Sequence, residues 1–118
     1  MAKRQPAGAF SHVDLISKDT EKSIRFYEKV FGWKFDDMGG GYMFTAPAAL
    51  PTGALRPADK EESPGTLSYI QVKDISKTLK EAEAAGGKVI VPKTEIPNFG
   101  HFAVILAPGD VPQGIFQS

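Results

Sequence analysis

Residues 12–33 read HVDLISKDTEKSIRFYEKVFGW, and their periodicity changes once along the way. From His12 to Ser17 the pattern alternates, with Val13 and Leu15 on one face and His12, Asp14 and Ile16 on the other, which predicts a strand with two covered or half-covered faces. From Glu21 the spacing turns helical. Ile24, Tyr27 and Val30 or Phe31 make one stripe, expected to pack on Val13 and Leu15, while Glu21, Lys22, Arg25, Glu28 and Lys29 face water. Asp19 or Thr20 can cap the first turn, and Gly32 offers the left-handed residue past the last one. A strand and the helix that covers it form the unit around which the rest of the chain is arranged.

Upstream, residues 1–8 read as a flexible tail, closed by Pro6 and Gly8 before Phe10 opens the strand. Downstream, Trp33 to Asp36 reads as a short strand that Gly39, Gly40 and Gly41 break before Tyr42 to Ala46 resumes, which is a hairpin. A phosphate cradle would need a helix after the glycines, and a strand follows instead. Among closely spaced prolines, Gly53 to Arg56 has room for a fourth strand, and residues 57–65 (PADKEESPG) read as a solvated linker. The opening grammar then returns. Thr66 to Lys73 alternates, Asp74 caps a helix with Ile75, Leu79 and Ala82 on its buried stripe, and Gly86 and Gly87 end it. Strands over Lys88 to Val91, His101 to Ala107 and Gln113 to Gln117 follow, separated by residues 92–100 (PKTEIPNFG) and the turn Pro108-Gly109-Asp110. The order βαβββ thus occurs twice, over about 9–57 and 66–117, and the whole reads as one α+β domain over 9–117.

Bulk composition narrows the function classes. Lysine plus arginine and aspartate plus glutamate are equal at 14 each in 118 residues, which argues against nucleic acid and anionic membrane as partners. With no cysteine, disulfides, thiolate metal sites and a cysteine nucleophile are all excluded. No run approaches the roughly 18 apolar residues of a membrane span, and MAKRQPAG lacks the apolar stretch of a signal peptide, so a cytoplasmic location is the expectation.

A histidine on the first strand, a short loop ending in Asp19, and a helix running through Phe26–Trp33 as FYEKVFGW resemble the opening of the vicinal oxygen chelate superfamily, which includes glyoxalases, bleomycin resistance proteins and extradiol dioxygenases. The doubled βαβββ order extends the resemblance over nearly the whole chain. It implies that the two modules curl into an open, barrel-like cup with a site on the concave face. It also implies, in metal-dependent members, ligands at four strand positions. His12 matches the first of these. The second falls on the fourth strand, where Gly53, Ala54 or Leu55 stands; the third aligns with Tyr69 and the fourth with Gly114. Three of the four ligands are lacking, and a divalent ion needs about three protein donors. The closing Phe116-Gln117 resembles a variant branch of the family whose members often lack the metal set.

The expectation is therefore a metal-free, glyoxalase-like homodimer, without a cofactor, that binds a small organic molecule. Its candidate contacts are His12, Asp14, Tyr42, Phe44, Arg56, Tyr69, Gln71 and Phe102, with Phe10 and Phe116 beside them, since aromatics around a few polar groups make a small-molecule pocket. The same aromatics would also suit a core or a dimer seam. His12 reads as a hydrogen-bonded neutral imidazole or, with Asp14 and His101, as a ligand of a different metal site, although His12 and Asp14 stand roughly 6.6 Å apart along the strand. Asp14 reads as a base or as a structural acceptor paired with Arg56. A hydrolase triad finds no support, because there is no Gly-x-Ser-x-Gly elbow and Ser11 points away from His12. Two rival readings are a divalent-metal lyase, isomerase or dioxygenase, and a non-catalytic regulatory or partner-binding module. Exposed sheet edges are the reason for expecting a homodimer.

Overall fold

Both helices end where their capping residues stop them. The structure, a computed structural model, describes residues 6–46 and 51–118. Helix α1 (Thr20–Phe31) begins at Asp19, whose carboxylate accepts from Lys22 N, and ends at Gly32 with φ 68°. Helix α2 (Ile75–Ala84) begins at Asp74 in the same way, its carboxylate accepting from Lys77 N. Around them run β1 (Phe10–Ser17), β2 (Lys34–Asp37), β3 (Tyr42–Ala46), β4 (Thr52–Pro57), β5 (Gly65–Gln71), β6 (Lys88–Ile96), β7 (Gly100–Ala107) and β8 (Val111–Gln117). The order is βαβββ twice over. No helix among the described residues is long and apolar enough to cross a membrane.

The chain divides into two compact units, His12–Leu67 and a second made of Ser68–Ser118 with the residues up to Ser11. In the first, the strand order is β2-β3-β4-β1. β1 runs parallel to β4, with His12 opposite Thr52, Asp14 opposite Ala54 and Ile16 opposite Arg56. β3 is antiparallel to both β4 and β2. α1 covers the face that carries Leu15, Ser17 and Leu55, and Ser17 Oγ lies 2.6 Å from Ser23 Oγ of the helix. The apolar stripe of α1 is less buried than its spacing predicts. Ile24 and Tyr27 are half-buried and no residue of the helix is fully so. Val30 and Phe31 stay 55% and 56% exposed, while the rings of Tyr27 and Trp33 stack on each other at 4.9 Å.

In the second unit the order is β5-β8-β7-β6, with β5 parallel to β8 and the remaining pairs antiparallel. Its core is Ile75 of α2 packed with Ala103 and Ile115, flanked by Ile70, Val72 and Leu79. Gln117 Oε1 accepts from Ile75 N at 2.8 Å, so the end of the last strand supplies a second cap to α2.

Three local expectations are corrected. Residues 92–96 do not separate strands: β6 continues through them to Ile96, and the ladder absorbs Pro92 with register shifts between Val89 and Thr94. The turn that follows uses Asn98 at φ 70°. Residues 57–65 are not wholly solvated, since Glu62 folds back to Arg56. The proposed tail over 1–8 ends sooner than expected, because Gly8 N donates to Gln71 O and Gln71 N to Ala9 O; residues 1–5 lie outside the described residues.

Candidate functional site

Alternation along β1 puts His12, Asp14 and Ile16 on the sheet face away from α1, and the parallel register of β4 sets Thr52, Ala54 and Arg56 beside them. The polar members of this row are linked. His12 Nδ1 lies 2.7 Å from Thr52 Oγ1, and His12 Nε2 lies 2.8 Å from Asp14 Oδ1. Arg56 Nε donates to Asp14 Oδ2 at 3.0 Å, and its two terminal nitrogens grip Glu62 at 2.6 and 2.9 Å. A carboxylate only accepts, so Asp14 requires the proton of a neutral His12 to sit on Nε2, and Nδ1 then accepts from the Thr52 hydroxyl. The Glu62 fork holds the Arg56 guanidinium further above its ordinary value, with Asp14 adding to the effect against the opposing cost of burial. The same fork holds the Glu62 carboxyl below the usual range.

His12, Asp14 and Arg56 are thus brought together, as is the pairing of Asp14 with Arg56. Tyr42 and Phe44 are not with them. β3 pairs Tyr42 with Leu55, and the ring of Phe44 packs tilted against Trp33 at 4.4 Å, so both stand on the face under α1. Met43, opposite Ala54, is the β3 residue on the side of His12. Sequence reasoning missed Thr52 and Glu62. Thr52 starts a strand whose register with β1 is a long-range property, and Glu62 sits in a stretch with no periodicity to read.

In the second unit, Tyr69 and Gln71 of β5, Phe102 of β7 and Phe116 of β8 share the face away from α2. Tyr69 and Phe102 meet edge to face at 6.5 Å. Gln71 is buried and donates to Ser118 Oγ at 2.9 Å. Phe10 is 56% exposed. His101 alternates with Ala103 and so lies on the face that α2 covers.

The metal positions implied by the resemblance are filled in a way that does not fit a divalent ion. Both ring nitrogens of His12 have partners, and Asp14, its nearest carboxylate, bonds to it rather than standing beside an ion. The residue opposite His12 on β4 is Thr52, not Gly53 or Leu55, which point to the other face. Tyr69 stands opposite Gly114, where a side chain would run into the Tyr69 ring. No group of three or more histidine, aspartate or glutamate side chains suited to an ion gathers among the described residues.

Comparison with known proteins places the chain in a family. A family model, the Glyoxalase/Bleomycin resistance protein/Dioxygenase superfamily, matches residues 9–112. The chain is 29% identical over 108 residues to a "Glyoxylase-like domain-containing protein" of Didymella fabae, covering 80% of this chain and 84% of that one. It is 28% identical over 120 residues to "Putative glyoxylase CFP32" of Mycobacterium tuberculosis, covering 94% of this chain and 46% of the relative. It therefore spans about half the length of that relative. Among solved structures, the methylmalonyl-CoA epimerase of Mycobacterium tuberculosis superposes with a TM-score of 0.67 at 16% identity, covering 99% of this chain and 91% of that one. This likeness shows the fold over both modules. The chain belongs to the glyoxalase, bleomycin resistance protein and dioxygenase superfamily.

Proposed function

We propose that this chain binds a small organic molecule, without a metal ion, on the sheet faces that its helices leave uncovered. The observation that carries the reading is the His12–Asp14–Arg56 row, whose hydrogen bonds run among protein groups while the side chains of His12 and Arg56 stay 21% and 23% exposed. Such a row orients a polar ligand and does not need an ion to hold it in place. In the second unit the half-buried Phe102, edge to face with the buried Tyr69, offers by itself an aromatic group of the kind that packs on an apolar small molecule. On this reading the protein acts as a cytoplasmic homodimer.

A thermal-shift screen of small carbonyl, carboxylate and aromatic compounds on metal-stripped protein tests the binding. Compounds that raise the melting temperature should lose their effect in Arg56→Met or Phe102→Ala. A screen in which only divalent metal stabilises the protein would transfer the argument to a metal enzyme. Light scattering over a range of concentrations tests the dimer, and a constant monomer mass would remove it.

A further inference from the structure

The first unit holds a hydroxyl, an imidazole and a carboxylate in one line. Thr52 Oγ1 is 2.7 Å from His12 Nδ1, His12 Nε2 is 2.8 Å from Asp14 Oδ1, and Arg56 Nε fixes the other oxygen of Asp14 at 3.0 Å. We infer that Thr52, His12 and Asp14 form a nucleophile, base and orienter that take an acyl group from a small ester and pass it to water.

The geometry assigns each role. Asp14 is 7% exposed and cannot swing, because Arg56 grips its second oxygen while Glu62 grips Arg56 from the far side. It keeps the His12 proton on Nε2, which leaves the lone pair of Nδ1 facing the Thr52 hydroxyl. That is the arrangement by which an imidazole activates a hydroxyl that is otherwise a weak nucleophile. Thr52 and His12 are both half-buried, so an incoming carbonyl can reach Oγ1. No motif along the chain announces the line, because the parallel register of β1 and β4 assembles it.

In the reaction, Thr52 Oγ1 bonds to the ester carbonyl carbon and its proton passes to His12 Nδ1. The bond from that carbon to the alcohol oxygen breaks, and the alcohol leaves with the proton from His12. Water then attacks the acyl carbon and gives a proton to His12, the carbon–Oγ1 bond breaks, and Thr52 recovers its proton. Water is the one co-reactant. Thr52 and His12 are the catalytic residues and Asp14 is a positioning residue.

The inference rests on the proposed ligand face only in that the ester must enter there. The test is to incubate the full chain with p-nitrophenyl acetate, follow p-nitrophenol release, and locate any acetyl group by peptide mass spectrometry. Acetyl on Thr52 is expected. Thr52→Val and His12→Gln should cut release by about 100-fold or more, while His101→Gln, a control for unspecific imidazole catalysis, should leave it unchanged. Asp14→Asn should lower the turnover rate with little change in KM, which a merely structural role would not produce. Circular dichroism checks that each variant folds, and Thr52→Ser, which keeps the hydroxyl, should retain acetylation even where Thr52→Val does not fold. Acetyl found only on lysine or on other residues of the wild-type chain, or an unchanged rate in folded Thr52→Val, overturns the relay. Ligands that stabilise the protein in the absence of Thr52 acetylation would sink the relay and leave the binding reading intact; acetylated Thr52 with no stabilising ligand would do the reverse.

Discussion

The ring of Tyr69 lies flat against Gly114, its partner across the β5–β8 ladder: a Cβ built on Gly114 would stand 2.6 Å from Cε2 and 2.8 Å from Cγ of the ring. Gly114→Ala must therefore displace Tyr69, a residue only 8% exposed. We expect a loss of about 1–3 kcal/mol, in the range of core overpacking. Gly114→Ala in a Tyr69→Ser background should cost far less, and additive losses in a double-mutant cycle by urea denaturation would show that the two positions are not coupled.

Burial sets the order of two isoleucine truncations. Ile75 is 0% exposed at the centre of the second core, so Ile75→Ala should cost about 2–5 kcal/mol. Ile24 is half-buried on a helix without a buried residue, so Ile24→Ala should cost roughly half as much. Equal shifts of the denaturation midpoint would contradict the packing of α1 described above.

Removing Arg56 leaves Asp14, whose side chain is 10% exposed, without its charged partner. Arg56→Met should cost about 1.5–3 kcal/mol, the range for hydrogen bonds to charged groups. Glu62→Gln should cost about 1 kcal/mol or less, since a quarter of that side chain (25%) remains in water. Because Glu62 has a lowered value in the folded chain, the stability it adds is fully present above the ordinary carboxylate range and is lost as pH falls through the lowered value. Between neutral pH and strong acid, Glu62→Gln should thus lose less stability than the wild type, as read from urea midpoints at each pH.

Gln117→Ala removes the acceptor of Ile75 N at the start of α2. The cost expected is about 1 kcal/mol, similar to loss of an N-cap, with faster amide exchange in the first turn. Unchanged exchange at Ile75 would show that Asp74 alone caps the helix.

Metal addition addresses the proposed function. An ion present at about 100 times its dissociation constant stabilises by about 2.7 kcal/mol, or several degrees for a chain of this length. Zinc, nickel, manganese and iron(II) should each leave the melting temperature of stripped protein unchanged. A rise that His12→Ala abolishes would make His12 a ligand after all.

The limits of both helices, the hairpin at Gly39 and the repeated βαβββ order could all be read from the residues. Capping side chains, left-handed glycines and apolar periodicity act over a few positions and carry their meaning locally. The pairing of Asp14 with Arg56 was legible for a similar reason, since both sit on strand positions whose alternation is plain. The reach of β6 through Pro92 was not, because only β7 alongside it shows that the ladder can shift register and continue.

By itself, then, the sequence determined the family, the two modules and the polar character of the opening strand. The tertiary structure decided which side chains meet. It set Thr52 against His12, turned Tyr42 and Phe44 to the face under α1, and laid Tyr69 over Gly114. The physical reason is that alternation fixes which residues of a strand share a face, whereas the face a distant strand offers depends on register. A slip of one residue reverses it, and register is settled by packing across the whole sheet.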